Sequence, residues 1–266
     1  MTAEARAVPF WAPAEIDAAI PGTIAHLQAH RVLAYPTETV YGLGSAIDSA
    51  SVDALLSLKR RPRGKPFLLL VAGTAMLERL GLRMTHAASM LAARFWPGPL
   101  TLVLPGGERR VPAPLRGPEG GIAVRWTPHP AMQRLIAAYG DAITSTSANQ
   151  PGEPPATEAA QIVAHWATMV ASGQLRVLDA GTLPPSAPST VVDCTGRYPR
   201  VIRPGAVSAA ALREDNEALD TMAGQVRSTG DDLDVAGPNV SVDQLSHGRL
   251  ELGHIDRIPA GDLQRL

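Results

Sequence analysis

The chain has 266 residues, is 45% hydrophobic and 18% charged, and carries a net charge of −1. These values suit a globular protein with one large domain, or one domain and an appendage. No apolar run approaches the roughly 18 residues of a membrane span, Met1–Arg6 lacks the basic-then-apolar order of a secretory signal, and a single cysteine, Cys194, excludes an internal disulfide. Together these features predict a cytoplasmic protein with no membrane partner. The charge is uneven. Residues 214–266 hold eleven acidic and four basic side chains, which leaves 20 basic against 14 acidic in residues 1–213, a balance of +6. A moderately basic body suits an anionic ligand and transient contact with RNA, without the charge density of a dedicated nucleic-acid binder.

In chain order, Ile16, Ile20, Ile24 and Leu27 recur at helical spacing, with a kink or restart predicted at Pro21-Gly22. A short strand follows at 31–35 and ends at Pro36. Residues 51–60 suit a helix, and 67–71 form a continuous apolar run, the pattern of a strand covered on both faces. Helices are predicted at 74–80 and 85–95, a break at Pro97-Gly98-Pro99, and a strand at 100–104. Residues 106–121 read as loop, 122–126 as strand, 130–139 as helix and 142–146 as strand. A helix near 157–167 precedes short strands at 176–179, 190–194 and 200–203. This alternation indicates an α/β or α+β domain with a mixed sheet. After Gly205 a helix at 207–220 and an acidic, weakly periodic extension are expected. The predicted division is a domain over 1–208 and an acidic linker with a short extension over 209–266.

Two segments far apart in sequence carry the chemistry. Lys59-Arg60-Arg61-Pro62-Arg63-Gly64-Lys65 places five cations in seven residues at a helix end, stiffened by proline and followed by a strand. Arg forks grip phosphate through two parallel bonds and Lys supplies a mobile point charge. Thr144-Ser145-Thr146-Ser147-Ala148-Asn149 places hydroxyl and amide groups at a strand end, suited to phosphate oxygens and a small polar ligand. The two make one nucleotide site only if the sheet brings their ends together. There is no G-x-x-x-x-G-K-[ST] loop and no G-x-G-x-x-G after a strand, so dispersed side chains would hold the phosphates. Arg125 is a lone charge in an apolar strand and requires an anionic partner, either an Asp or Glu of the chain or a ligand carboxylate. His26 and His30 lack the Glu of a metal-binding helix and read as a surface helix face. Cys194 reads as a buried strand cysteine, and no nucleophile elbow is present.

Tyr35-Pro36-Thr37-Glu38-Thr39-Val40-Tyr41-Gly42-Leu43-Gly44, Lys59-x-Arg61-Pro62, Phe95-Trp96-Pro97-Gly98-Pro99-Leu100-Thr101, Val124-Arg125-Trp126-Thr127-Pro128, Ser147-Ala148-Asn149, Pro188–Asp193 and Ile202-Arg203-Pro204-Gly205 occur in this order. Over residues 14–208 the chain resembles the Sua5/YrdC family of L-threonylcarbamoyladenylate synthases. The resemblance implies a twisted open mixed sheet flanked by helices, with a concave, positively lined cleft. It implies a nucleotidyltransferase that makes threonylcarbamoyl-AMP and pyrophosphate from L-threonine, bicarbonate and ATP. The product would feed threonylcarbamoyladenosine formation in tRNA through proteins that transfer the threonylcarbamoyl group. Carried over by motif, Thr37, Arg125, Ser145 and Ser189 would hold threonine. Lys59, Arg61, Ser147, Asn149 and Arg203 would hold ATP, with Lys65 close by, and Lys59 and Arg61 would be catalytic. Mg²⁺ would arrive with the nucleotide.

The chain departs from the family pattern at Lys65, where Asn is common, at Leu70, where His is common, and at Pro155, where Ser is common, so those contacts are not carried over. The residues after Gly205 are too few for the second domain of long-form members. A different reading keeps the fold as a non-catalytic binder of double-stranded RNA, tRNA or the ribosome. A third, a carbamoyl-transfer relative, would bring zinc-finger-like cysteine pairs that this chain lacks.

Overall fold

In the computed structural model, which describes residues 7–61, 65–184, 186–196 and 198–212, the chain builds a ten-stranded mixed sheet with helices packed against it. Strand β1 (Val8–Pro9) leads into α1 (Pro13–Gln28). Pro13 opens this helix where no amide donor is needed, and the Glu15 carboxylate accepts the Ala12 N–H at 2.9 Å. Of the kink or restart predicted at Pro21-Gly22, the restart is absent, and α1 runs through both residues. Pro21 is exposed, so the carbonyl it leaves without a donor faces water. Burial of Ile16, Ala19, Thr23 and Leu27 on the opposite side holds the helix together.

Strand β2 (Val32–Tyr35) pairs antiparallel with β3 (Gly42–Gly44), a segment whose Gly-rich sequence reads as loop. Its glycines make the strand possible. A Cβ on Gly42 would lie 2.9 Å from the Tyr35 ring, and one on Gly44 only 2.0 Å from the Thr144 carbonyl oxygen. Helix α2 (Ser49–Lys59) starts at Asp48, which accepts the Ser51 N–H at 3.0 Å, and ends at Arg60 in the left-handed region, φ 48°. That conformation costs a non-glycine residue roughly 1 kcal/mol and turns the chain so that Arg61 N–H reaches back to Leu56.

Strand β4 (Leu68–Val71), helices α3 (Thr74–Arg79) and α4 (His86–Phe95), strands β5 (Leu100–Leu104) and β6 (Ile122–Trp126), helix α5 (Pro130–Tyr139) and strand β7 (Ile143–Ser147) fall within a residue or so of the sequence expectation. The 106–121 loop holds one 3₁₀ turn, Ala113–Leu115. The helix predicted at 157–167 divides at Trp166 into α6 (Ala159–His165) and α7 (Ala167–Ala171). There the backbone leaves helical geometry while the indole stays buried. Strands β8 (Leu175–Asp179), β9 (Thr190–Asp193) and β10 (Arg200–Arg203) complete the set.

The strand order is β1-β8-β2-β3-β7-β4-β6-β5-β9-β10. β1/β8, β2/β8, β4/β6 and β5/β9 are parallel, and the remaining pairs antiparallel. Leu33, Leu43, Leu69, Val124 and Leu102 form its central core, each buried. His26 is not on a surface face. It is buried and donates Nε2–H to the Val32 carbonyl at 2.7 Å, while His30, beyond the helix end, lies 3.0 Å from Asp48. Cys194 is buried, and burial pushes its thiol up to about 12, so it is inert as a nucleophile. Among the described residues no helix is long and apolar enough to cross a membrane. Arg63, the rest of the helix predicted at 207–220 beyond Leu212, and the acidic extension lie outside the described residues.

Candidate functional site

Sheet register collects the polar residues on one face. Gly42 pairs with Ser147, Leu68 with Ser145, Leu70 with Arg125, and Val191 with both Thr101 and Arg203. Paired residues share a face, and so do residues two apart. The register of β5 against β6 carries Arg125 to the side of Thr101. Ser145, Ser147, Arg125, Thr101, Ser189 and Arg203 therefore all project from the same side. Leu70, fully buried, lies between Ser145 and Arg125, while Gly42 and Gly44, under the Tyr35 ring, flank the two serines on the other side.

At one end of this face the two segments singled out in the sequence meet. Lys59, 4% exposed at the last turn of α2, donates to the Ser147 carbonyl at 2.9 Å, to Asn149 Oδ1 at 3.0 Å and to the Asn149 carbonyl. An ammonium has three protons, and all three go to the corner after β7. The Ser147 hydroxyl donates to the same Asn149 Oδ1 at 2.7 Å. Burial, aided by the neighbouring Arg61 charge and opposed by Glu153, lowers the Lys59 pKa to about 8.

Arg61 is half-buried. It donates Nε–H to the Lys65 carbonyl at 2.9 Å and an Nη2–H to the Pro66 carbonyl at 3.1 Å, and lies over the Phe67 ring at 5.1 Å. It thus fixes the entry to β4 while presenting charge beside Lys59. Lys65 is half-buried in the same segment. Arg60, exposed, points charge to solvent.

The second cluster centres on Arg125, 4% exposed. The anionic partner it requires is in the chain. Glu38 Oε1 lies 3.4 Å from Arg125 Nη1, and Glu38 Oε2 accepts the Thr127 hydroxyl at 2.7 Å. Among the described residues Arg125 Nε and Glu38 Oε1 are buried without a hydrogen-bond partner, as are both ring nitrogens of His129. Burial lowers the His129 pKa against the field of Glu38. Thr37, next to Glu38, uses its hydroxyl within its own turn, donating to the Val40 carbonyl at 2.7 Å and accepting the Thr39 and Val40 N–H groups at 3.2 Å.

Ser189 Oγ lies 2.9 Å from Thr101 Oγ1, and Arg203 donates to the Ser189 carbonyl at 2.9 Å. Burial and the positive charge of Arg125 lower the Arg203 pKa, which puts the two guanidinium groups in one neighbourhood. Ser145 is buried beside Tyr35, whose hydroxyl donates to the Thr144 carbonyl at 2.9 Å and whose pKa is raised by burial.

The structure thus joins Lys59, Arg61, Ser147 and Asn149 at one end and Arg125, Ser189 and Arg203 at the other, with Ser145 between. From strand spacing, Ser145 and Arg125 are roughly 12 Å apart, the scale of a small amino acid joined to a phosphate. Sequence reasoning left Glu38, Thr101, Thr127 and His129 out of the site. Their signal was Glu38 in the Pro-Thr-Glu-Thr loop and the polar Thr127 and His129 directly after the strand that holds Arg125.

A cavity of about 240 Å³ lies behind the β7 corner, lined by Asn149, Glu153, Pro155, Ile162 and Trp166 among others. A shallower hollow of about 450 Å³ lies beside Asp53, Arg60 and Arg61. Both adjoin the Lys59 end and neither reaches Arg125. Among the described residues no group of three or more His, Cys, Asp or Glu side chains is placed to hold a metal ion.

The Sua5/YciO/YrdC family model, described as telomere recombination, matches residues 25–205. The threonylcarbamoyl-AMP synthase of Pyrococcus abyssi is 35% identical over 198 residues, 74% of this chain and 55% of that protein. This chain therefore spans about half the length of that relative. A Mycobacterium tuberculosis protein called a putative threonylcarbamoyl-AMP synthase is 37% identical over 208 residues, 76% of this chain and 91% of its own length. The crystal structure of P. abyssi Sua5 complexed with L-threonine superposes with a TM-score of 0.67 at 30% identity, covering 87% of this chain and 66% of that one.

Proposed function

The chain belongs to the Sua5/YciO/YrdC family, and from that premise we propose that it is a threonylcarbamoyl-AMP synthase acting in tRNA modification. The observation that carries this reading is the shared sheet face, with a phosphate-type corner at Lys59 and a carboxylate-type cation at Arg125. It is supported by the names of the relatives and by the threonine-bound P. abyssi structure.

In this mechanism Arg125 takes the carboxylate of L-threonine, and Thr37, Ser145 and Ser189 border the rest of the amino acid. The amine combines with bicarbonate to give N-carboxy-threonine and water. The new carboxylate attacks the α-phosphorus of ATP, a P–O bond forms, the bond to the leaving group breaks, and pyrophosphate departs. Lys59, Arg61 and Arg203 offset charge on the phosphoryl oxygens, with Lys65 nearby. The Lys59 bonds also hold Ser147 and Asn149 against the nucleotide. This makes the chain a nucleotidyltransferase. Mg²⁺ would supply charge neutralisation on the phosphates and would be held by the nucleotide, since the cations and hydroxyls of this face are no cage for it.

Purified protein given ATP, L-threonine and bicarbonate is expected to release pyrophosphate only when all three are present. Release indifferent to threonine would overturn the reading. A second reading, binding of tRNA or double-stranded RNA, is favoured by the +6 balance of residues 1–213. It would give salt-sensitive RNA binding with no nucleotide turnover.

A further inference from the structure

We propose that Glu38 recognises the ammonium group of the amino-acid substrate, and that the Arg125–Glu38 ion pair reads the substrate as a zwitterion. This rests on the reading in which Arg125 receives the substrate carboxylate. The pair presents a positive and a negative group 3.4 Å apart, with side chains 5% and 18% exposed. An α-amino acid carries opposite charges at similarly short separation, so it can lie alongside with each end against its complement. Each partner keeps an unused buried atom for that purpose. Arg125 Nε is a donor with no acceptor, and Glu38 Oε1 is an acceptor with no hydrogen bond.

The surroundings support a negative, correctly aimed carboxylate at this point. Thr127 donates to Oε2 at 2.7 Å, which fixes the carboxylate and leaves Oε1, the oxygen turned to Arg125, without a hydrogen bond. Arg125 alone would attract any carboxylate, and Arg203 nearby adds a second positive charge. Glu38 is the carboxylate that faces the Arg125 guanidinium and whose field reaches His129, so it is the group able to favour an amine-bearing acid over other acids. A buried pair with orphaned atoms is costly if it serves packing alone, and a zwitterionic ligand satisfies both atoms at once.

The test is calorimetric binding of L-threonine and of 2,3-dihydroxybutanoate, which has the same skeleton with a hydroxyl in place of the amine. The unsubstituted chain is expected to prefer threonine by about tenfold or more, the scale of one charge-assisted hydrogen bond. Glu38→Gln keeps the acceptor for Thr127 but loses the charge. It is expected to weaken threonine by roughly ten- to a hundredfold and the hydroxy acid by less than about threefold.

Equal weakening of both ligands would make Glu38 a structural counter-ion of Arg125 and overturn the assignment. If Glu38→Gln does not fold, the unsubstituted chain decides, and absence of any preference for the amine overturns it. Binding of neither ligand to the unsubstituted chain would instead overturn the amino-acid reading of the Arg125 end, and this assignment with it. Arg125→Gln separates the two roles, since it is expected to weaken both ligands alike.

Discussion

At Lys59 one buried ammonium serves both architecture and charge, because its three protons hold the Ser147–Asn149 corner while its charge faces the place proposed for phosphate. Its pKa of about 8 sets a pH limit with a definite sign. The group is cationic below that value, so nucleotide affinity should be full near pH 7 and fall as pH rises through 8. Titrating ATP at pH 7 and pH 9.5 checks this. Lys59→Arg, which stays charged across the range, should flatten the decline, and an equally steep decline in that variant would sink the explanation. Arg125 presents the opposite case, a buried cation with a partly buried carboxylate of the chain as its partner. Arg125→Ala leaves Glu38 without its counter-charge and should destabilise the fold by up to about 3–5 kcal/mol in denaturant unfolding. Arg125→Lys should cost less stability yet raise the threonine requirement roughly tenfold, because a point charge cannot replace the fork.

Strand β3 shows how an element can be hidden by its own sequence. Gly42-Leu43-Gly44 has no strand propensity to speak of, and only the fold shows why glycine is required there. The sheet closes β2 onto β7 under the Tyr35 ring, so a Cβ at Gly44 would sit 2.0 Å from the Thr144 carbonyl. Gly44→Ala is therefore expected to destabilise by at least about 1–3 kcal/mol, read as a lowered denaturant midpoint, and to displace Ser145 with its neighbour. At Gly42 the obstruction is the Tyr35 side chain at 2.9 Å instead of backbone, so Gly42→Ala should cost less. Equal costs would show that the Tyr35 ring is as immovable as the backbone.

Strand β4 was legible from residue pattern because burial on both faces leaves a continuous apolar run, and β5 and β6 because each is mostly apolar with a single polar residue, Thr101 or Arg125. So was the need of Arg125 for a partner. Its identity as Glu38 was not legible, since a contact across 87 residues depends on which strands become neighbours. The register that puts Ser145, Arg125 and Arg203 on one face was hidden for the same reason. The continuity of α1 through Pro21 was hidden because helical pattern alone does not say which side of the helix meets water.

At the scale of the whole molecule, the ten strands found among the described residues, and the site face they build, belong to the part of the chain whose composition is basic. The eleven acidic and four basic residues of 214–266 bring the total to −1. If contact with tRNA is electrostatic, its strength should follow the charge of the whole chain and not the shape of the site. A chain ending at residue 213 should then bind labelled tRNA more tightly than the full chain at low salt. Raising salt from about 50 to 200 mM should reduce both affinities by about tenfold or more if several phosphates are neutralised, and should bring the two chains together as screening grows. Anisotropy titrations at the two salt concentrations measure it. Affinities that ignore both salt and truncation would remove electrostatic attraction as the basis of any RNA contact. The +6 balance would then serve the small anionic substrates at the sheet face alone.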